Sequence, residues 1–229
     1  MLRQRVAVLG VGMARRGVGR YARARGQAAV ETAIVFPCAL LVCLGVLQVA
    51  QLAEARMFLE YAAVQAARTG AVWSGHPERM RDAARLALAP SWGRTDSGAR
   101  FVETLSRADK TNDELRQLSG GRRGLWDVEV LSPHRQPQTP EELEFDGAAP
   151  LELRIRVRSL VPLKIPLAGA ALFRAWQAAG GFGRVRGVEQ SEMEALRRTT
   201  GRMFLPLATE ARTGMQSPLF RRFLPEGAS

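Results

Sequence analysis

The stretch RARGQAAVETAIVFPCALLVCLGVLQVAQL, residues 23–52, decides how this chain is organised. Its arginines end before Gly26, and Glu31 is the only charged residue between Gly26 and Glu54. Residues 33–53 are 21 uncharged, mainly apolar residues. Because a helix rises about 1.5 Å per residue, this run matches the roughly 30 Å hydrocarbon core of a bilayer. The sequence therefore predicts one membrane-spanning helix close to the N-terminus.

The positive charge of the chain is concentrated ahead of this helix. Residues 1–26 contain seven arginines and no acidic residue, so they hold +7 of the formal net charge of +11 and leave +4 for the rest. An excess of basic residues on one side of a span places that side in the cytoplasm. We therefore predict a basic leader at 1–26, a transmembrane helix at 27–53 and an exported domain at 54–229. The same distribution argues against a nucleic-acid binder, whose basic residues would cluster on the folded domain.

Helix-forming residues continue beyond the apolar run without glycine or proline as far as Gly70. They predict one continuous helix over residues 27–69, and its second half has an apolar stripe that would face the domain. This stripe contains either Leu52, Leu59, Ala63 and Ala66, or Phe58, Ala62 and Ala66. Two shorter helices are predicted. One covers residues 77–89 and ends before Pro90, and the other covers residues 111–118 with Thr111 and Glu114 in capping-box spacing.

The hydrophobic period changes from 3.6 to 2 in the second half of the chain. Apolar and polar residues alternate in LWDVEVL at 125–131, in LELRIRVRSL at 151–160 and in LPLATEARTGM at 205–215. This pattern predicts an antiparallel sheet of about three half-buried strands with a helix on the apolar face, so the fold class is α+β. The acidic outer face of the first strand would complement the arginines of the second. LVPLKIPLAGAALF, residues 160–173, is short for a second span and is predicted to be a buried loop and turn.

The sequence offers little that could carry catalysis or bind a metal. His76 and His134 are the only histidines; each lies beside a proline in a predicted surface loop, without a second ligand at metal spacing. Cys38 and Cys43 both lie in the apolar run, five residues apart, which is not a zinc spacing. We therefore expect no enzyme activity, no metal site and no cofactor.

The basic leader, the glycine, the carboxylate five residues later and the apolar helix together resemble the signal of type IV prepilins. More closely, residues 25–71 are similar to the N-terminal segment of the TadE-like pilus-assembly proteins, minor pseudopilins of tight-adherence pili. The segment LPLATEARTGMQS, residues 205–217, resembles the closing strand of that family. The resemblance implies a small pilin-like domain after the long helix and a single-pass protein of the bacterial inner membrane.

The resemblance also implies a processing site and an assembly residue. A prepilin peptidase would cut between Gly26 and Gln27, in a chain that starts at Met1 or Met13. Glu31 would then be the fifth residue of the mature chain and would pair, during assembly, with the new N-terminal amine of a neighbouring subunit. The implied partners are the prepilin peptidase, other pilus or pseudopilin subunits, the inner-membrane assembly platform and the membrane, with no nucleic acid. The implied function is a structural or assembly component of a tight-adherence pilus or related secretion system.

One alternative remains open from the residues alone. The tripeptide AEA at residues 53–55 has the small-residue pattern of an ordinary signal-peptidase site, followed by Arg56. A cut there would release a secreted binding protein without a membrane anchor. It would also discard half of a continuous helical pattern.

Overall fold

A computed structural model describes residues 18–120, 124–135, 139–144, 151–180 and 190–226. Most of the predicted leader, residues 1–17, lies outside this part. The elements in chain order are α1 (Val18–Val72), α2 (Pro77–Trp92), α3 (Gly98–Leu118), β1 (Trp126–Ser132), β2 (Glu142–Leu143), β3 (Glu152–Pro162), α4 (Pro166–Ala178), α5 (Gln190–Thr200), β4 (Phe204–Gly214) and β5 (Leu219–Phe220). The chain divides into two compact units, Met1–Cys43 and Leu44–Ser229, and the folded domain lies in the second.

The domain is built on a three-stranded antiparallel sheet in the order β1-β3-β4. The central strand β3 places Val157 opposite Val128 of β1 and opposite Thr209 of β4. Inward-facing residues of β3 are fully buried, as the alternating pattern requires for a sheet with one covered face. The short strands β2 and β5 form a separate antiparallel pair. The prediction of an α+β fold with a long N-terminal helix and about three strands is confirmed.

The second half of α1 packs against the apolar face of this sheet through its smallest residues. Every alanine between Ala55 and Ala71 is buried, and Ala62 and Ala66 have no exposed surface. Gly70 lies close to the sheet and to α2, because a Cβ atom there would be 2.6 Å from Cδ2 of Leu153 on β3 and 2.6 Å from Sδ of Met80. Small side chains therefore allow the helix backbone to lie close to the central strand, and larger ones would hold it away.

The stripe predicted on α1 is confirmed in its main part. Leu59, Ala63 and Ala66 belong to the buried core cluster, and Leu52 is half-buried at its margin. The last turn of α1 is held by the segment that follows β4. Backbone carbonyls at a helix end need outside partners, and the carbonyl of Ala71 accepts hydrogen bonds from Ser217 Oγ at 2.9 Å and Gln216 N at 3.1 Å.

The helices differ from the sequence expectation at several ends. Helix α1 begins at Val18 rather than Gln27. Helix α2 includes Pro90 in its last turn and ends at Trp92, since proline there removes only one backbone hydrogen bond near a helix end. Its start at Pro77 is as predicted.

The predicted capping box at Thr111 and Glu114 is wrong. Helix α3 begins at Gly98, and Ser97 is its N-cap, since the Ser97 hydroxyl accepts a hydrogen bond from the backbone N–H of Arg100 at 3.4 Å. The longer helix is favoured because Leu105, Ala108 and Leu115 recur at helical spacing and are all buried. Thr111 therefore lies in the middle of a helix that tertiary packing extends.

The expectation of a buried loop and turn over residues 160–173 is also wrong. Strand β3 continues to Pro162, and helix α4 follows from Pro166, a residue suited to the first position of a helix. Burial of Ala168 and Phe173 on one face stabilises this helix. Helix α5, which the sequence did not indicate, buries Met193 and Leu196 in the same core cluster.

The outer face of the sheet is covered by a ladder of ion pairs. Glu210 on β4 accepts from two arginines of β3, with Oε1 2.6 Å from Arg156 Nη2 and Oε2 2.5 Å from Arg154 Nη2. Glu129 on β1 accepts from Arg158 and lies 3.6 Å from Arg156 Nη1. The predicted charge complementarity between the first two strands is confirmed, and β4 extends it. Hydrogen bonds from Arg156 and then Arg154 hold the pKa of Glu210 below its usual value of 4.5, against a smaller opposing effect of burial.

We predict that Glu210→Gln lowers the free energy of unfolding by about 1 kcal/mol at neutral pH, because the carboxylate bridges two strands but is one-third exposed. A group with a lowered folded pKa stabilises the fold above its unfolded pKa, and the contribution is lost as the pH falls through the folded value. The difference between wild type and Glu210→Gln should therefore shrink below about pH 4.5. Thermal unfolding of the full chain in detergent measures it.

Glu152→Gln provides the matched control, since Glu152 lies on β3 in an exposed position at the sheet margin. It should change the unfolding free energy by less than about 0.5 kcal/mol. A Glu210→Gln difference that stays constant down to pH 3 would contradict the role assigned to this carboxylate.

Candidate functional site

The residues of interest lie in the N-terminal half of α1. Gly26 and Gln27 are within the helix, and their side chains lie outside the described part of the structure. Glu31 is exposed on the same helix, five residues beyond Gly26, which is about 7.5 Å along the axis. The structure therefore brings the predicted processing site and the predicted assembly residue onto one rigid element, little more than one turn apart.

The residues that follow Glu31 present apolar side chains in every direction. Every residue from 29 to 43 is exposed. Consecutive positions share this property, with Ile34, Val35 and Phe36 exposed to 65%, 62% and 63%. A surface helix of a water-soluble domain would bury one face, whereas a helix that is apolar all round needs an apolar environment. Among the described residues one helical stretch, Ala29–Val72, is long and apolar enough to cross a membrane.

Proline and cysteine residues do not interrupt this segment. Pro37 lies inside α1 without ending it, which is tolerated where local adjustments satisfy the freed carbonyl. Cys38 and Cys43 are both free thiols on the exposed surface. They remain available for labelling.

The two histidines occupy different environments. His134 is exposed, as predicted. His76 is half-buried, and its ring lies 4.8 Å from that of Phe223, so its assignment to an open surface loop is wrong. It follows α1 at the tight connection to α2, where packing with the C-terminal segment covers it. In the described part of the chain, no group of three histidine, cysteine or acidic residues is placed to hold a metal ion.

The apolar helix with Glu31 near its start defines the segment that can be compared with known proteins. Residues 26–68 match the family model of TadE-like proteins. The match begins at Gly26 and ends four residues before the end of α1, so the TadE-like segment is this helix from the predicted processing site onward. No curated protein matches the chain, and no solved structure matches it. The match covers 43 of the 229 residues of the chain, so it describes the long helix and not the domain that follows.

One residue of the TadE-like segment was missed in the sequence. Gln48 lies in the middle of the apolar run, yet its side chain is 1% exposed. Its Oε1 accepts a hydrogen bond from the backbone N–H of Ile165, just before α4, at 3.0 Å. Its Nε2 is buried without a hydrogen-bond partner among the described residues. The signal available in the sequence was that Gln48 and Gln51 are the only amides in residues 33–53.

Gln48 is the first buried residue that the structure describes along α1. Residues 29–47 are exposed or half-buried, and the alanine face begins about two turns later at Ala55. The folded domain thus begins to cover α1 at Gln48, inside the run that composition alone assigns to lipid. The contact also fixes α4 as the domain element that touches this level of the helix.

Proposed function

We propose that this chain is a minor pseudopilin that takes part in assembling a tight-adherence pilus or a related secretion system. The observation that carries the proposal is the TadE-like segment, which starts at Gly26 and lies on one continuous helix that is apolar all round before it enters the domain. The proposed role is structural and not catalytic, and we propose no nucleic-acid partner.

In this proposal three consecutive parts of the chain have different locations. The arginine leader stays in the cytoplasm, the apolar stretch anchors the chain in the inner membrane of a bacterium, and the domain lies on the other side. A prepilin peptidase removes the leader between Gly26 and Gln27. The new amine and Glu31 then lie close to the membrane surface, where a charge pair between neighbouring subunits is strengthened by the low dielectric.

The alternative of a secreted binding protein is less well supported. A signal-peptidase cut after Ala55 would fall within α1 and would remove the buried Gln48 together with its hydrogen bond to Ile165. It would also remove Ala55 from the buried face of the helix. A mature domain without these contacts would lose part of its own core.

Determination of the mature N-terminus separates these possibilities. We expect protein extracted from membranes to begin at Gln27, as measured by N-terminal sequencing and intact mass. Gly26→Val should leave the leader attached, because a branched side chain replaces the glycine at the proposed cut. Gly45→Val is the matched control on the same helix, since a Cβ atom at Gly45 meets nothing within 4 Å, and its leader should be removed normally. A chain that begins at Arg56 would support the secreted alternative, and an intact wild-type leader would leave an uncleaved anchor.

Substitution of Glu31 tests assembly separately from insertion. Glu31→Val makes the segment more apolar, so insertion into the membrane should persist. Removing one member of a shielded charge pair costs about 3–5 kcal/mol, so crosslinking to pilus subunits and the number of surface filaments should fall to a small fraction. Glu54→Val removes an exposed carboxylate from the same helix, worth about 0–1 kcal/mol, and should have little effect. Normal assembly of Glu31→Val alongside failure of Glu54→Val would place the working contact on the later part of α1 instead.

A further inference from the structure

The hydrogen bond between Gln48 and Ile165 places the start of α4 beside the apolar run of α1. Gln48 is five residues before Ala53, the last residue of the apolar run. At about 1.5 Å per residue, Gln48 lies roughly 7.5 Å inside the end of that run. Ile165 is held at the same level by a 3.0 Å hydrogen bond. If α1 spans a bilayer, Ile165 is therefore at the depth of the upper part of the acyl chains, below the headgroups.

The first turn of α4 is seated closely at this level. Gly169 is buried, and a Cβ atom there would lie 2.9 Å from Cβ of Leu163 and 3.8 Å from Oε1 of Gln48. Further along, Phe173 of α4 enters the domain core. Gly169 and Phe173 thus both hold α4 in place, so its position relative to Gln48 does not depend on a single contact.

The first turn of α4 exposes a large apolar side chain near this level. Leu167 is 69% exposed, among the most exposed large apolar side chains that the structure describes in the domain. On α1 at the same level Val46, Leu47 and Val49 are 65%, 55% and 54% exposed. We refer to these four exposed apolar residues near the level of Gln48 as the apolar collar. Water around such a collar is unfavourable by about 25 cal/mol for each Å² of apolar surface.

Charge near the collar has the sign that phospholipid headgroups attract. The chain from Leu163 to Gly180 contains two basic residues, Lys164 and Arg174, and no acidic residue. Both basic side chains are exposed. Lys164 directly precedes Ile165, so its ammonium group can extend from the level of Gln48 toward the surface while its methylene groups stay with the apolar collar. Apolar residues at acyl-chain depth with cations at headgroup depth are the pattern by which interfacial helices bind anionic membranes.

We propose that the first turn of α4 is a second membrane contact, in which Leu167 enters the acyl boundary and Lys164 binds anionic phospholipid headgroups. The inference rests on the proposed membrane anchoring of α1. It gives the apolar collar a single occupant, the bilayer surface, because the collar is continuous with the part of α1 assigned to lipid. Docking of α4 on the membrane would fix the tilt and rotation of the domain above it, as a single helix could not.

Depth-dependent quenching of a fluorescent probe tests this contact in the full chain. Both native cysteines are replaced by alanine, and an environment-sensitive label is attached to a new cysteine in Leu167→Cys, Val42→Cys or Val102→Cys. Val102 is the matched control because it is an apolar residue of α3 with 62% exposure, outside the collar. Each labelled protein is reconstituted into vesicles of phosphatidylethanolamine and phosphatidylglycerol that contain lipids with a nitroxide near the headgroup or deep in the acyl chain.

The label at position 167 should lose fluorescence with the shallow nitroxide, the label at position 42 should lose it with the deep nitroxide, and the label at position 102 should lose none with either. Quenching at 42 without quenching at 167 would overturn the second contact while leaving the anchor intact, and would mean that solvent or another protein covers the collar. No quenching at 42 would overturn the anchor and this inference together. Tryptophan emission reports whether each variant is folded, since Trp92 and Trp126 stack at 4.8 Å in the domain.

The charge part of the inference has its own test. Lys164→Glu, made in the Leu167→Cys background, should reduce shallow quenching in phosphatidylglycerol vesicles and change it little in vesicles of phosphatidylcholine alone. Arg198→Glu is the matched control, because Arg198 is an exposed arginine of α5 that is paired with Glu194. Equal quenching for Lys164→Glu and its parent in both kinds of vesicle would overturn the assignment of Lys164 to anionic headgroups.

Discussion

The close packing of helix α1 on the central strand β3 is the contact on which the rest of the structure depends. Alanine and glycine residues on one face of the helix let it approach until an added Cβ at Gly70 would overlap Leu153. The sheet has three main strands, and its apolar face is covered by the alanine face of α1 together with α2, whose buried residues belong to the same core cluster. The same helix continues N-terminally into the apolar segment that is exposed on all sides. One helix, α1, therefore contains both the apolar segment and residues of the domain core.

Gln48 lies where these two roles meet. A buried amide costs free energy unless its polar atoms are paired, and here one atom accepts a hydrogen bond while the other has no partner in the described residues. The hydrogen bond offsets part of this cost and also positions the domain. An amide in an otherwise apolar run fixes one position along the helix at which the backbone N–H of Ile165 can donate. A leucine at this position would be more apolar but would select no particular level along the helix. The hydrogen bond therefore fixes the position along the apolar helix at which the segment before α4 is held.

Much of this organisation could be predicted from the sequence because the patterns are strong. The apolar run, the charge asymmetry and the alternation in β1, β3 and β4 led to the α+β fold, the single candidate span and the buried stripe through Leu59 and Ala66. Local signals failed where tertiary packing overrides them. Thr111 and Glu114 have capping-box spacing, but burial of Leu105 and Ala108 extends α3 past them toward the N-terminus. Proline residues near 166 suggested a loop, although proline at the first helical position favours the start of α4.

Some residues of the candidate site could likewise be predicted from the sequence, and others could not. Gly26, Gln27 and Glu31 could be singled out because they stand at an abrupt change of composition, and residues 26–68 match the TadE-like family model. The role of Gln48 could not be derived, since its partner Ile165 is more than one hundred residues away and no periodic pattern links them. The pairing of Glu210 with two arginines could not be derived from the sequence either. It depends on the register of β4 against β3, which alternation alone does not specify.

The most direct test of the account is the stability of Ala66→Leu compared with Ala99→Leu. Ala66 has no exposed surface on the face of α1 that meets the sheet, whereas Ala99 is exposed in the first turn of α3. Thermal unfolding of the full chain in detergent, followed by tryptophan fluorescence, should show that Ala66→Leu lowers the free energy of unfolding by about 1–3 kcal/mol, because the helix must move away from the sheet. Ala99→Leu should change it by less than about 0.5 kcal/mol. Equal stability of the two variants would contradict the claim that the alanine face of α1 belongs to the core of the domain.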